Sequence, residues 1–147
     1  MGYVLGEDDV ILLVMPPWHS GKYDQYEIVL KDSNKVVGNI SFFYDSNKIT
    51  GNVEYFIFYE HRGKGYAKRA LKVLAENIYK LDETDLFISI LPDNKASIKL
   101  ALSCGAVLHK KVEIPKKHSF SKDGKYKYAN MYIIKYKGEN NEKNKSK

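Results

Sequence analysis

Arg62-Gly63-Lys64-Gly65-Tyr66-Ala67 is the stretch whose residue types and spacing are best suited to chemistry. It joins a β-prone run ending near Tyr59 to a run of helical spacing that begins near Gly65. A strand that enters a helix through two glycines presents several backbone N–H groups and the positive end of the helix dipole, a geometry that binds phosphate or pyrophosphate. The glycines allow close backbone approach, Ala67 keeps the helix near the strand, and Arg62 and Lys64 add side-chain charge. Three anion-binding patterns compete. A P-loop requires Gly-x-x-x-x-Gly-Lys-Ser/Thr, which the stretch lacks. A dinucleotide fingerprint requires a third small residue where Lys68 stands, and a βαβ setting where a β-meander precedes. The pattern Arg/Gln-x-x-Gly-x-Gly/Ala fits from Arg62 to Ala67, although a glycine-rich turn can also be only a turn.

The elements that must hold this turn follow from periodicity. Val10–Met15 is a compact β-prone run stopped by Pro16-Pro17, and residues 16–24 read as a loop. Tyr26–Leu30 and Val36–Tyr44 flank a turn at Asp32–Lys35; a second turn at Asp45–Lys48 leads to the strand Ile49–Tyr59. From Gly65 to Leu81 apolar residues fall at 67, 70, 71, 74, 78 and 81, which predicts a helix. Leu86–Leu91 is a strand ended by Pro92, and Asn94–Ser103 a helix closed by Gly105. Val107–Ile114 and Tyr126–Tyr136 are the last strands, around a loop at Pro115–Lys125. This order implies an α/β fold with a mixed, mostly antiparallel sheet and two helices packed on it.

Composition narrows the class. With 147 residues, 44% hydrophobic and 29% charged, the chain suits a single domain over 1–137 and a polar, disordered tail over 138–147. Its single cysteine, Cys104, cannot form an internal bridge, and apolar runs such as Val10–Met15 are far shorter than the roughly 20 residues of a membrane helix. A cytoplasmic setting without a membrane partner is the expectation. The net charge of +6 is uneven: residues 110–137 hold nine Lys against Glu113 and Asp123, whereas residues 1–109 sum to about −2. The basic segment suits either an anionic partner or a solvated edge strand. It has no arginine and no recognised nucleic-acid motif, so a nucleic-acid partner is not expected.

The segments VEYFIFYEHRGKGYAKRALKVL and ISILPDNKASIKLALSCGA resemble the GNAT superfamily of acetyl-CoA-dependent N-acetyltransferases. The similarity is to the branch of ribosomal-protein N-terminal and spermidine acetyltransferases, and it spans residues 26–136. It implies a central sheet whose strands Val53–Tyr59 and Leu86–Leu91 splay into a V around acetyl-CoA. Backbone groups of Tyr55, Phe56 and Ile57 would pair with the pantetheine arm, and an N–H near Ile57 would polarise the thioester carbonyl. The N–H groups of Gly63, Lys64, Gly65, Tyr66 and Ala67 would hold the pyrophosphate, with Arg62 beside them. Asn94 and Ser97 would hydrogen-bond the pantetheine, or act as helix-capping residues. Glu54 would take the amine proton, its alternative being a solvent-facing or ion-paired strand residue. No metal is implied, and family members are often homodimers.

Two departures stand out. The position that often carries a tyrosine to protonate the leaving thiolate is Ala101. The two helices that usually cover the acceptor side between the first strands are replaced by the loop 16–24, in which Trp18 and His19 are either acceptor contacts or an aromatic plug. Glu60 reads as structural, His61 as exposed near the phosphates, and Cys104 as a small buried residue. His109 and His118 have no assigned partner. The function implied is direct acetyl transfer to a primary amine, with a non-catalytic CoA-binding module as the alternative. A protein N-terminus, a polyamine and a small amine all remain open as acceptors; Glu7, Asp8, Asp9, Asp24 and Glu27 permit a polyamine pocket.

Overall fold

Leu86, Ile88 and Ile90 are buried while Phe87 and Ser89 point the other way, the period-two signature of a strand with one face on a core. The same alternation recurs along the chain in the computed structural model, which describes residues 2–17, 23–47, 49–77, 80 and 85–135. The strands are β1 (Tyr3–Glu7), β2 (Ile11–Met15), β3 (Tyr23–Leu30), β4 (Val36–Asn47), β5 (Gly51–Ile57), β6 (Leu86–Ile90), β7 (Val107–Glu113) and β8 (Tyr128–Ile134). The helices are α1 (Tyr66–Glu76) and α2 (Lys95–Ser103). One sheet of order β1-β2-β3-β4-β5-β6-β8-β7 results, with every ladder antiparallel. The expected α/β class, sheet and two main helices are all present.

Both helices lie on one face. Ala70, Leu71, Val73 and Leu74 of α1 and Ala101 of α2 share a core with Leu5, Ile11, Leu13, Ile28, Ile40, Phe42 and Val53. Each large side chain buried there contributes about 1.5–3 kcal/mol over exposure. Helix α2 ends as its sequence predicts: Gly105, at φ 89°, donates to the Leu102 carbonyl and Ala106 to that of Ala101. A smaller cluster of Leu91, Ile114 and Ala129, joined by Ile49, Phe120 and Tyr126, occupies the opposite face under the loop 115–127.

The structure corrects several boundaries. Strand β1 is additional: Gly6 and the acidic flank hide it in the sequence, but Leu5 is fully buried and Tyr3–Glu7 pairs with β2. Tyr23 and Asp24 belong to β3 rather than a loop, because Tyr23 stacks on Phe43 and Asp24 accepts hydrogen bonds from Tyr26 and Tyr44. Strand β4 runs through the predicted turn to Asn47. Helix α1 stops at Glu76, where the Asn77 amide donates back to the Val73 carbonyl at 2.8 Å. Leu81, Trp18, His19 and the tail 138–147 lie outside the described residues.

Between β5 and β6 the sheet is nearly unzipped. One register pair joins them, Gly51 with Ile88, and no ladder continues. Gly51 sits at φ 85°, and a Cβ there would lie 2.2 Å from the Phe87 carbonyl oxygen, so the close approach requires glycine. Beside it Asn52, 2% exposed, bridges the strands: Nδ2 donates to the Asp85 carbonyl at 2.9 Å and Oδ1 accepts from Phe87 N–H at 2.8 Å. At the other end of α1's contacts, Arg69 donates to Asp8 and Asp9 at 3.0 and 3.2 Å, bracing the helix against the β1–β2 turn.

Two expectations follow. Asn52→Ala leaves a buried carbonyl and a buried N–H without partners and lowers unfolding free energy by about 2–4 kcal/mol in urea titration. Burial pushes the Asp8 carboxyl up, but N–H donors from Ile11 and Val10 and the Arg69 guanidinium outweigh it and hold the group below its ordinary value. The stability it contributes is therefore present above the ordinary carboxylate pKa and lost as pH falls through the lowered one. Thermal melts should show a steeper fall below about pH 4 in the native chain than in Asp8→Asn.

Candidate functional site

Where β5 and β6 part, a groove of about 530 Å³ opens. Val53–Phe56 form one wall and Ile88–Leu91 the other; Asn94 and Ser97 enter from α2, and Phe120 and Lys122 from the loop 115–127. Strand β5 divides its side chains by parity. Tyr55 and Ile57 pack on the helix-side core, whereas Glu54 and Phe56 are exposed on the opposite face. Glu54 stands opposite Ser41 on β4 and forms no ion pair among the described residues.

Across the groove the Tyr55 hydroxyl donates to Ser97 Oγ at 3.3 Å, and burial pushes this phenol up from its usual value. Asn94 Oδ1 accepts from the Ser97 N–H at 3.3 Å, so Asn94 is the N-cap of α2 while also lining the groove. Ser89 on β6 also lines the groove. Its Oγ is buried without a hydrogen-bond partner among the described residues, a cost of about 1–3 kcal/mol that a bound polar group would relieve.

The glycine turn is built from a 3-10 turn at Tyr59–His61 followed by Gly63 at φ 78° and Gly65 at φ 81°. Gly65 is the N-cap of α1; no side chain caps it and no acidic residue stands in the first turn. Helix N–H groups therefore face outward beside Lys64 and Lys68, a donor set that fits a phosphate. A Cβ at either glycine would meet nothing within 4 Å. Both are needed for their backbone angles, and the space in front of them is open. A second groove of about 490 Å³ is lined by Lys64 of the turn, by Lys68, Arg69, Lys72 and Glu76 of α1, and by Asp8.

The predicted residues thus fall into two groups. Glu54, Tyr55, Phe56, Asn94 and Ser97 line the first groove, while Lys64 and Gly65 line the second. Tyr66 and Ala67 open α1, and Ile57 ends β5 opposite Gly38. Arg62 is held back toward the strand: Nε donates to the Ile57 carbonyl at 2.8 Å and the guanidinium lies over Phe56 and Tyr59. Ala101 is 1% exposed in the core, so the position implied for a thiolate acid does not line the groove.

The remaining candidates have structural surroundings. Glu60 lies 3.9 Å from His61, His109 packs on Phe87, and His118 Nδ1 accepts from the Phe120 N–H. Burial pushes the Cys104 thiol up, which makes it a poor nucleophile. Ser89, Phe120 and Lys122 escaped the sequence reading. The two loop residues sit in a stretch with neither periodicity nor motif, and Lys122 is one lysine among nine. Among the described residues no group of three His, Cys, Asp or Glu could hold a metal, and no helix is long and apolar enough to cross a membrane.

Residues 8–107 match the family model described as an acetyltransferase (GNAT) domain. No curated protein matches the sequence. Among solved structures, the microcin self-immunity acetyltransferase MccE in complex with acetyl-CoA and AMP is similar at 24% identity, over 77% of this chain and 61% of its own, with TM-score 0.58. A ribosomal-protein alanine acetyltransferase from Vibrio fischeri is 20% identical over 78% and 62%, with TM-score 0.62. The spermidine/spermine N-acetyltransferase SpeG from Vibrio cholerae is 14% identical over 84% and 71%, with TM-score 0.62. The chain spans less than two thirds of the length of the first two, and at these identities the likeness is one of fold.

The turn generates its own test. With open space around both positions, Gly63→Ala and Gly65→Ala each cost only the strain of a left-handed L residue, about 1 kcal/mol in a urea titration. A loss above about 3 kcal/mol would point to a packing role that the open surroundings exclude.

Proposed function

The chain belongs to the GNAT acetyltransferase family, and on that premise we propose that it transfers an acetyl group from acetyl-CoA directly to a primary amine. The observation that carries this reading is the opening between β5 and β6, with an uncapped helix N-terminus at the neighbouring turn. Acetyl-CoA supplies an acetyl thioester activated toward amine attack. The unladdered edge of β5 offers backbone groups of Tyr55, Phe56 and Ile57 to an extended arm, in the manner of strand addition. The N–H groups after Gly63 and Gly65 and the ammonium groups of Lys64, Lys68 and Lys72 suit the phosphates at the arm's far end. Asn94 and Ser97 hold the α2 side of the groove, and the unpartnered Ser89 hydroxyl is a further polar contact within it.

Among the described residues Glu54 is the one carboxylate lining the groove, exposed on the face away from the helices, and it accepts the proton of the attacking amine. The acceptor reaches it from that face, because seven residues separate Met15 from Tyr23, too few for the pair of covering helices that the family resemblance implies. Proximity and orientation supply most of the rate in direct transfer, so no protein nucleophile is required. A non-catalytic CoA-binding module is the second reading, favoured by the burial of Ala101 where a thiolate acid is otherwise expected.

Calorimetric titration with acetyl-CoA, followed by thiol release against a panel of amines, separates the two. Transfer predicts saturable binding, a gain of about 2.7 kcal/mol in stability at 100 times Kd, and thiol release with at least one amine. Glu54→Gln should keep the binding constant and lower kcat roughly 100-fold. Binding without thiol release from any amine favours the second reading, and no binding removes both.

A further inference from the structure

Among the described residues lining the β5–β6 groove, only Glu54 and Lys122 carry formal charge, and they come from opposite sides of it. Neither forms an ion pair among the described residues. Lys122 is set there by a built loop. Its backbone is left-handed at φ 52°, as are Asp123 at 62° and Gly124 at 84°, a run that non-glycine residues adopt only under constraint.

The constraint is Ser121, fully buried, whose Oγ donates to the Lys116 carbonyl at 2.7 Å and accepts from the Gly124 N–H at 3.0 Å. The Tyr126 N–H closes the loop onto the Ser121 carbonyl at 2.9 Å. Phe120, the other groove residue of this loop, packs on Leu91, Ile114 and Ala129 and anchors it to the sheet. Lysines at 116, 117, 125 and 127 do not line the groove, so the position of Lys122 is separate from the general basicity of the segment.

A groove with one charge of each sign complements a zwitterion and opposes a polycation. Glu54 attracts the ammonium form of an arriving amine; Lys122 repels a second cation and pairs with an anion. Of the five acidic residues that could have formed a polyamine pocket, Glu27 lies on β3 opposite Asn39 and does not line the groove, and the other four are occupied elsewhere. Glu7 binds Lys31 at 2.7 Å, Asp8 and Asp9 bind Arg69, and Asp24 accepts from two tyrosine hydroxyls.

We infer that Lys122 is a specificity-determining residue that selects a primary amine with a carboxylate close by. A free α-amino acid meets that description, and so does a peptide N-terminus followed by an acidic side chain. This rests on the acetyl-transfer reading and narrows it by acceptor class.

The test compares kcat/KM from thiol release across matched acceptors: alanine against alaninamide, an alanyl-glutamyl against an alanyl-glutaminyl peptide amide, and spermidine. The native chain should favour a carboxylate-bearing member roughly tenfold or more over its neutral match, with spermidine poorest. The pair that shows the preference identifies the source of the carboxylate. Lys122→Gln should cut that preference roughly tenfold, Lys122→Arg should restore it, and Lys122→Glu should raise spermidine above the anionic acceptors.

Titration of the acetylated products, N-acetylalanine against its amide, reads the same selection without turnover, and unchanged melting temperatures of the variants exclude a folding defect. A native preference for neutral or polycationic acceptors, or a loss in Lys122→Gln equal for all acceptors, overturns the inference and leaves acetyl transfer standing. Absence of thiol release from every amine, with acetyl-CoA bound, overturns both.

Discussion

The groove exists because β5 and β6 are joined at one end and released at the other. Asn52 is the fastening: a buried amide that satisfies one carbonyl and one N–H of the neighbouring strand segment, as a backbone rung would, beside the single pair Gly51–Ile88. Full pairing would have consumed the edges of both strands and closed the sheet. No pairing would have left the β6-β8-β7 half attached through its helices alone. A side-chain bridge at one end gives the intermediate arrangement, in which an eight-stranded sheet contains a gap deep enough for a ligand. Buried polar groups demand partners, and that demand makes the fastening specific.

The two faces of the sheet divide the work. The helix side is packed tightly, from Leu71 and Leu74 onto Ile11, Ile28 and Ile40, and supports α1 where the glycine turn ends. Among the described residues the opposite side is covered at one end by the loop 115–127 over Leu91, Ile114 and Ala129, and Glu54 and Phe56 are exposed. This loop thus defines the described part of that face next to the groove. Ser121 makes the loop a fixed part of the surface, since its hydrogen bonds hold three successive left-handed residues in place.

Charge is distributed by the same logic. Acidic residues near the N-terminus are used as braces: Asp8 caps the Val10 and Ile11 N–H groups and, with Asp9, holds Arg69 of α1. That leaves Lys64, Lys68 and Lys72 as the free basic stripe beside the turn, and Glu54 and Lys122 as the charged pair of the groove. The net charge of +6 thus says less about partners than the few charges left without a structural duty.

Local chemistry made much of this legible in advance. The double-glycine turn before α1, the glycine that closes α2 and the period-two strands on either side of the groove follow from dihedral preference and alternation, which are properties of short segments. The family resemblance, not these local signals, assigned Glu54, Asn94 and Ser97 to the site, and the structure brings all three to one groove. The sequence did not disclose β1, whose pairing comes from a partner strand, nor the role of Asn52, whose partners lie more than thirty residues away in the chain, nor the burial of the unpartnered Ser89 hydroxyl. Phe120 and Lys122 belong to the same class. A lysine in a basic loop has no periodicity to betray it, and only the packing of Phe120 and the Ser121 hydrogen bonds decide that this one, among nine, stands at the groove. Segment conformation is written in neighbouring residues. Convergence of distant ones is decided when buried polar groups find partners and apolar faces close, and those conditions are met only in the folded chain.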